Sequence, residues 1–419
     1  MLFSRSLTRS LRSLPLHRLS LAASRTYITL CTTTNPQSPL PVLPNAPAST
    51  PPKSIIFLAT PQFSTLLPSI HQSLTTVGIP PTTSFLAAIV DAIPTSTHGT
   101  TSRYGYTWLL TSHPLEITPS PLPHTLELLD PSSPQTLSFS LANTIFTTGN
   151  FSESYYSHTP ITPDEITGWS VVLPAALTAK SRTHLPLIPL TQPRKITASA
   201  GNILRQLNSE PASAELEVAV HAYLKAHPNA PKPEIFARIA TNEEILSDGA
   251  DLGKKYDIFN PKHGAVRRVL SGGGGWGQKS GLLAIDPQQD SDVERYARDF
   301  EEGFLGLKDP SGNSGIVGKG KWVRFYLVGE PEATPVEKEV EKAEEEVLEG
   351  EVRLGCVDKE EDAFTGTVPM GVKEEVLEGV WGAGSESGVL VTGMGSGKSR
   401  RLDVPGGWVG LGGKKPVKL

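Results

Sequence analysis

The chain has 419 residues, 19% of them charged, with 37 Pro, 38 Gly and a formal net charge of −5. That length allows two domains, or one large domain with tails, and the low charge with abundant Pro and Gly points to ordered parts separated by irregular segments. No run of about 18 apolar residues occurs, which argues against a transmembrane helix, and two distant cysteines, Cys31 and Cys356, offer neither a disulfide framework nor a structural zinc site.

The charge is segmental. No Asp or Glu precedes Asp91, whereas Arg5, Arg9, Arg12, Arg18 and Arg25 punctuate a Leu- and Ser-rich start. On a helix, Leu2, Phe3, Leu7, Leu11 and Leu14 gather loosely on one side, away from Arg5, Arg9 and Arg12. Cationic, amphipathic and free of carboxylates, residues 1–27 read as a mitochondrial presequence, and the interspersed Arg and Ser break the apolar core that a secretory signal needs. The expected location is the mitochondrial matrix, with cleavage near Arg25-Thr26-Tyr27.

Residues 28–52, rich in Pro, Thr and Ser, read as a linker. Order is expected to begin at SIIFL (54–58), followed by a helical spacing in PQFSTLLPSIHQSL that Pro68 bends or shortens. SFLAAIVD (84–91) and YGYTWLLT (104–111) are the next strands; LELL, LSFSLA and WSVVLP are weaker ones. These make 54–190 the first half of an α/β or α+β body with mixed sheet layers. In the second half, 191–330, Leu216, Val220, Tyr223 and Leu224 share a helical face, with Ser213 as N-cap and Pro228 as stop. EIFARIA, VRRVL, LLAI and KWVRFYLVGE read as strands, and DSDVERYARDFEEGFLG (290–306) as a helix. From Glu330 to Asp362 fourteen acidic residues face four basic ones, so 331–362 reads as an acidic spacer. The Gly-rich remainder, 363–419, completes a scheme in which an ordered body, 54–330, is flanked by disordered tails.

The most distinctive stretch is SGGGGWGQKSG. A P-loop needs Gly, four residues, then Gly-Lys-Ser/Thr, so that backbone amides ring the phosphate and Lys reaches its outer oxygens. Gly272 and Gly277 have that separation, but Gln278 stands where Lys is required. A second near match, TGMGSGKSR, has Thr392 in place of the first glycine, and RRLDVPGGW follows where a helix is needed. Neither reads as a nucleotide site. Four bare glycines between VRRVL and LLAI instead make either a close strand-to-strand crossing or a loop whose amides form an anion-binding concavity. In the second case Gly272, Gly273, Gly274, Gly275, Trp276, Gly277 and Lys279 are the ligand contacts, with Arg267 and Arg268 adding charge nearby.

No HExxH or HxxxH spacing, Cys–His cluster or G-x-S-x-G elbow is present, so neither catalytic residues, metal nor cofactor are expected. Basic and aromatic residues interleave in GWGQK, KWVRFY and RRVL, which leaves open a second reading: association with mitochondrial RNA, ribosomes or the gene-expression machinery.

SIIFLATPQFSTLLPSI, SFLAAIVD, GYTWLLTS, SAGNILRQL, PASAELEVAV and RVLSGGGGWGQKSGLLAIDP together resemble a group of fungal mitochondrial proteins, and the first of these segments resembles the start of FIST domains. The resemblance spans about 54–290. It implies a non-enzymatic α/β module that senses a small ligand, with amino acids the suggested class. No binding residue carries over position by position.

Overall fold

The computed structural model describes residues 27–36, 41, 43–44, 50–96, 100–157, 168–228, 233–247, 256–272, 281–287, 317–329, 349–357, 373–393 and 399–413. Among the described residues strands outweigh helices, 47% against 16%, so packed sheets carry a mixed architecture in which helices are accessory.

The first sheet has six strands, in the order Ser154–Tyr156, Ser84–Ile89, Ser54–Ala59, Gly105–Thr111, Ile28–Thr34 and Glu375–Glu378. Ser54–Ala59 is buried at every residue and runs parallel to Ser84–Ile89, which explains its continuous apolar run: a strand covered on both faces has no polar side to alternate with. Ile55, Phe57 and Ala59 pack with Ile70 and Leu74 of the helix Leu67–Thr76. Ile56 and Leu58 pack on the other face, in a core shared with Leu126, Leu128, Trp169 and Val171 of a second sheet. Pro68 shortens the α-helix rather than bending it. It lies in the first turn, where its missing N–H leaves no intrahelical bond unmade, after the 3-10 turn Pro61–Leu66.

The second sheet runs Arg400–Leu402, Val389–Thr392, Thr136–Ser140, Thr125–Leu129, Gly168–Val172, Ile117–Ser120, and a third runs Lys180–His184, Trp408–Gly413, Glu349–Cys356, Val380–Ser385. Three boundaries therefore differ from the sequence reading. The region taken as a linker, 28–52, contains Ile28–Thr34, an interior strand with Leu30 through Thr34 buried. The region taken as an acidic spacer, 331–362, contains Glu349–Cys356, the partner of both Trp408–Gly413 and Val380–Ser385. The Gly-rich 363–419 segment contributes Trp381, Val389, Val391 and Val409 to the main core. Each was misjudged for one reason: short β-segments rich in Thr, Glu or Gly have little apolar content of their own and gain order only from the partners they meet.

Between these C-terminal strands and the first half lies a six-stranded barrel. Trp322–Val328, Arg194–Ala200, Ile203–Leu207, Leu283–Ile285, Ala265–Gly272 and Ile235–Ala240 pair in turn, and the last pairs back to the first, with Leu187–Pro189 added at Trp322–Val328. Its core holds Ile196, Leu204, Ile239, Leu283, Val323 and Phe325, closed by Ala212 and Leu216 of the helix Ala212–Ala226. That helix begins one residue before the expected cap: Pro211 precedes it, and Ser213 is buried in its first turn with its N–H on the Gly281 carbonyl. The helix expected over 290–306 lies outside the described residues.

Candidate functional site

The strand Ala265–Gly272 ends at Gly272, which stands opposite Leu283 across a register shift between Val269 and Ser271. Gly281, at φ +82°, then anchors the far side, where an added Cβ would lie 2.8 Å from the Pro211 side chain. The Gly-rich stretch thus connects two neighbouring antiparallel strands. Gly273, Gly274, Gly275, Trp276, Gly277 and Lys279 lie outside the described residues, so of the expected contacts only Gly272 is placed. The strands Val389–Thr392 and Arg400–Leu402 are likewise an antiparallel pair. The described residues that follow each near-matching motif, 281–287 and 399–402, carry strands and no helix such as a P-loop uses.

The third sheet carries chemistry that the motif reading missed. Its registers place Arg182, Glu351, Arg353, Trp408, Gly382 and Gly410 on one face, while Val352, Leu354, Trp381, Ala383 and Val409 enter the core from the other. The glycines clear room for long side chains to lie flat. A Cβ on Gly410 would meet Glu351 Oε1 and Trp408 Cζ3, each at 2.7 Å. The signal was legible in outline: WGAGS and WVGLGG alternate glycine with apolar residues at period two, the pattern of a strand with one stripped face.

Glu351 lies between the two cations. Its Oε1 accepts from Arg182 Nη2 at 2.7 Å and Nε at 3.1 Å, and its Oε2 from Arg353 Nη2 at 2.9 Å. Burial alone would raise this carboxyl, but Arg353 and Arg182 outweigh it and hold it below its ordinary value. Both guanidiniums also lie over the Trp408 ring, at 4.8 Å for Arg182 and 5.4 Å for Arg353. One carboxylate against two arginines leaves a net positive charge. Arg353 Nη1 donates to the Thr95 carbonyl at 3.0 Å, while its buried Nε–H has no acceptor.

Arg353 lines a small cleft with Thr100, Thr101, Cys356, Gly407 and Trp408. The outer wall is the hairpin of Ile93–Pro94 and Thr101–Ser102, tied to the third sheet by Asp91, which accepts the Glu386 N–H at 2.8 Å, and by the bridge between Ala92 and Gly384. Burial pushes the Asp91 carboxyl up to about 6 against the Glu386 N–H that favours its charged form. Arg103 pairs with Glu386 at 2.8 Å beside it. The interior of the cleft has room for about one water-sized group, so a larger ligand reaches into it with a single small atom such as a carboxylate oxygen. Chemically, the site offers a buried cation, an unmet N–H, two threonines and an aromatic face. Among the described residues no group of three or more His, Cys, Asp or Glu is placed to hold a metal ion, and Cys31 and Cys356 are buried and not joined in a disulfide.

Comparison of the chain with known protein families, with curated proteins and with solved structures finds no match.

Proposed function

We propose that this protein is a non-catalytic, ligand-binding module of the mitochondrial matrix, and that its ligand presents a carboxylate to Arg353. The observation that carries the reading is the Arg353 guanidinium: buried, only half-neutralised through the shared Glu351, and holding an unpaired N–H at the wall of a cleft. A buried donor without an acceptor is costly, and an entering carboxylate satisfies both its hydrogen bond and its charge. The resemblance to FIST domains, with amino acids as their suggested ligands, agrees with this chemistry. A second contact surface at the Gly-rich stretch Gly272–Gly277, with Trp276 and Lys279, is also part of the proposal; apart from Gly272 these residues lie outside the described ones.

The nucleic-acid reading has less support. In KWVRFY, Arg324, Phe325 and Tyr326 are buried; in RRVL, Arg267 is buried and Arg268 pairs with Glu234 at 3.2 Å. Cations and rings turned inward are not available to stack bases or neutralise phosphates.

A melting screen of the full chain against free amino acids and small dicarboxylates tests the proposal. A true ligand raises the melting temperature with its concentration by mass action, and weakly dependent on salt. Arg353→Lys, which keeps the charge but loses the planar fork, is expected to weaken binding about tenfold. No response from any carboxylate, or equal affinity in Arg353→Lys and Thr101→Val, overturns the site. Unchanged affinity in Trp276→Ala and Lys279→Ala removes the loop from the proposal and leaves the cleft. Nuclease-sensitive co-sedimentation with ribosomes would favour the nucleic-acid reading instead.

A further inference from the structure

The barrel meets the layered sheets along an outer face where like charges stand side by side. In the pairing of Ile235–Ala240 with Trp322–Val328, Arg238 lies directly opposite Arg324, and Phe236 opposite Tyr326. Directly opposed like charges repel, and removal from water strengthens the repulsion. Yet both arginines are buried, at 7% and 8% exposure, and Tyr326 beside them is at 0%. Phe236, Tyr326 and Val266 belong to the main core, with Tyr256 and Ile258, so this is the seam joining the two parts of the molecule.

The two cations are held by carbonyls. Arg238 Nε donates to the His263 carbonyl at 2.9 Å; Arg324 donates through Nε to Thr191 and through Nη1 to Leu246, each at 2.8 Å. Carbonyl dipoles orient a guanidinium but do not neutralise it. Among the described residues neither arginine has a carboxylate partner: the ion pairs there use Arg103, Arg182, Arg194, Arg268 and Arg353. The nearby acid, Asp257, accepts the Phe259 N–H at 2.9 Å and serves its own loop. His263 accepts the Asp257 N–H through Nδ1 at 2.9 Å, which places its ring proton on Nε2 and leaves it neutral.

The hydroxyl of Tyr326 completes the arrangement. Its ring centroid lies 5.7 Å from the Arg324 guanidinium carbon, and both arginines act on the hydroxyl electrostatically, yet Oη has no aligned hydrogen-bond partner. The other ring, Tyr256, lies 5.7 Å from the guanidinium carbon of Arg238. Two guanidiniums and one hydroxyl therefore converge, the Tyr326 oxygen lying against both arginines, with no carboxylate between them among the described residues.

We propose that this seam binds a phosphate-class oxyanion, held between Arg238 and Arg324 with the Tyr326 hydroxyl as the third donor. Donors that approach from two strands and a ring suit a tetrahedral oxyanion better than a planar carboxylate, and the guanidinium fork matches its oxygen edges. The bound anion neutralises the opposed arginines and couples the barrel to the sheets. It is a site separate from the carboxylate cleft, which lies on the third sheet.

The test uses the full chain freed of multivalent anions, with melting temperature followed as inorganic phosphate or glycerol phosphate is titrated. The temperature is expected to climb with phosphate concentration. Tyr326→Phe, which removes one O–H and nothing else, should move the titration to about tenfold higher phosphate, and Arg324→Met should abolish it. Arg353→Lys, in the cleft, should leave it unchanged. A response to either phosphate that Tyr326→Phe and Arg324→Met weaken sustains the site, and the stronger of the two names its source. No response in the parent chain overturns the proposal, as does a response that both variants leave intact. A response that emerges only after Asp248→Asn and Asp251→Asn also overturns it, since a carboxylate of the chain would then be the natural counter-ion; those two residues lie outside the described ones.

Discussion

Asp91 illustrates how a single side chain ties stability to pH. Its carboxyl is pushed up to about 6, first by burial, then by the Glu386 carboxylate, against the Glu386 N–H, Arg103 and the Ser385 hydroxyl. An unfolded Asp titrates near 3.9. Between those values the folded chain holds a proton that the unfolded chain has released, so stability is greatest below about pH 4 and is lost as pH rises through about 6. A shift of about two units corresponds to about 3 kcal/mol at neutral pH. Asp91→Asn keeps an oxygen for the Glu386 N–H and removes the titration. Its melting temperature should exceed that of the parent at pH 7 and vary less between pH 4 and 7. Parallel pH profiles for the two proteins would show that Asp91 is ionised at no cost. Glu351 is the opposite case: its arginines hold the carboxyl below its ordinary value, so its contribution to stability is present above the range where an unfolded Glu titrates and is lost as pH falls through its lowered folded value.

At the scale of the element, the third sheet depends on glycine for close approach rather than for turning. A Cβ on Gly382 would lie 1.8 Å from the Arg353 carbonyl oxygen. That atom belongs to the backbone of the paired strand, so no rotamer change relieves the overlap, and the two strands must separate. Gly382→Ala should therefore cost about 3 kcal/mol or more in denaturant unfolding, and should also loosen the cleft by shifting Arg353. Gly355→Ala is the matched control. Its nearest neighbour, the Gly407 carbonyl oxygen, would be 3.4 Å away, an ordinary contact. A change within about 1 kcal/mol is expected there. Equal losses in the two variants would mean that glycine is needed for reasons other than the approach of Arg353.

For the whole molecule, the ends of the chain matter more than its middle suggests. Ile28–Thr34 lies between Gly105–Thr111 and Glu375–Glu378, and the Thr32 hydroxyl bridges to Thr107 Oγ1 and the Val380 carbonyl, each at 2.8 Å. Val389–Thr392 adds to Thr136–Ser140, and Trp408–Gly413 to Lys180–His184. A fragment 54–330 therefore lacks strands from all three layered sheets, and contacts so distant in sequence make for slow closure. Chains starting at Tyr27 should fold and melt cooperatively, whereas chains starting at Gln37 should be insoluble or non-cooperative. The proposed matrix processing must then cut before Ile28, at the short end of the roughly 25–35 residues expected of a presequence. A soluble, cooperatively melting chain from Gln37, or an imported product beginning beyond Thr34, would contradict the role given to this strand.

The elements that were legible in the sequence are those whose stability is written locally. SIIFL, SFLAAI and YTWLL are apolar enough to demand burial on both faces, the 3.6-residue spacing from Leu216 to Leu224 marks a helix, and the near-matching motifs lack the residues a P-loop needs. Tertiary structure decided what depends on partners. ITLCTTT has no apolar stripe of its own and becomes an interior strand because two edges accept it. EVRLGC sits in an acidic stretch, yet Glu351 is buried because Arg182, 169 residues away, is brought against it. EIFARIA and KWVRFY show alternating patterns that identify strands but not which face of each is covered, and closure of the barrel turned Arg238 and Arg324 into the seam. A side chain's environment is set by what the fold places opposite it, and for these residues the opposing groups come from distant parts of the chain.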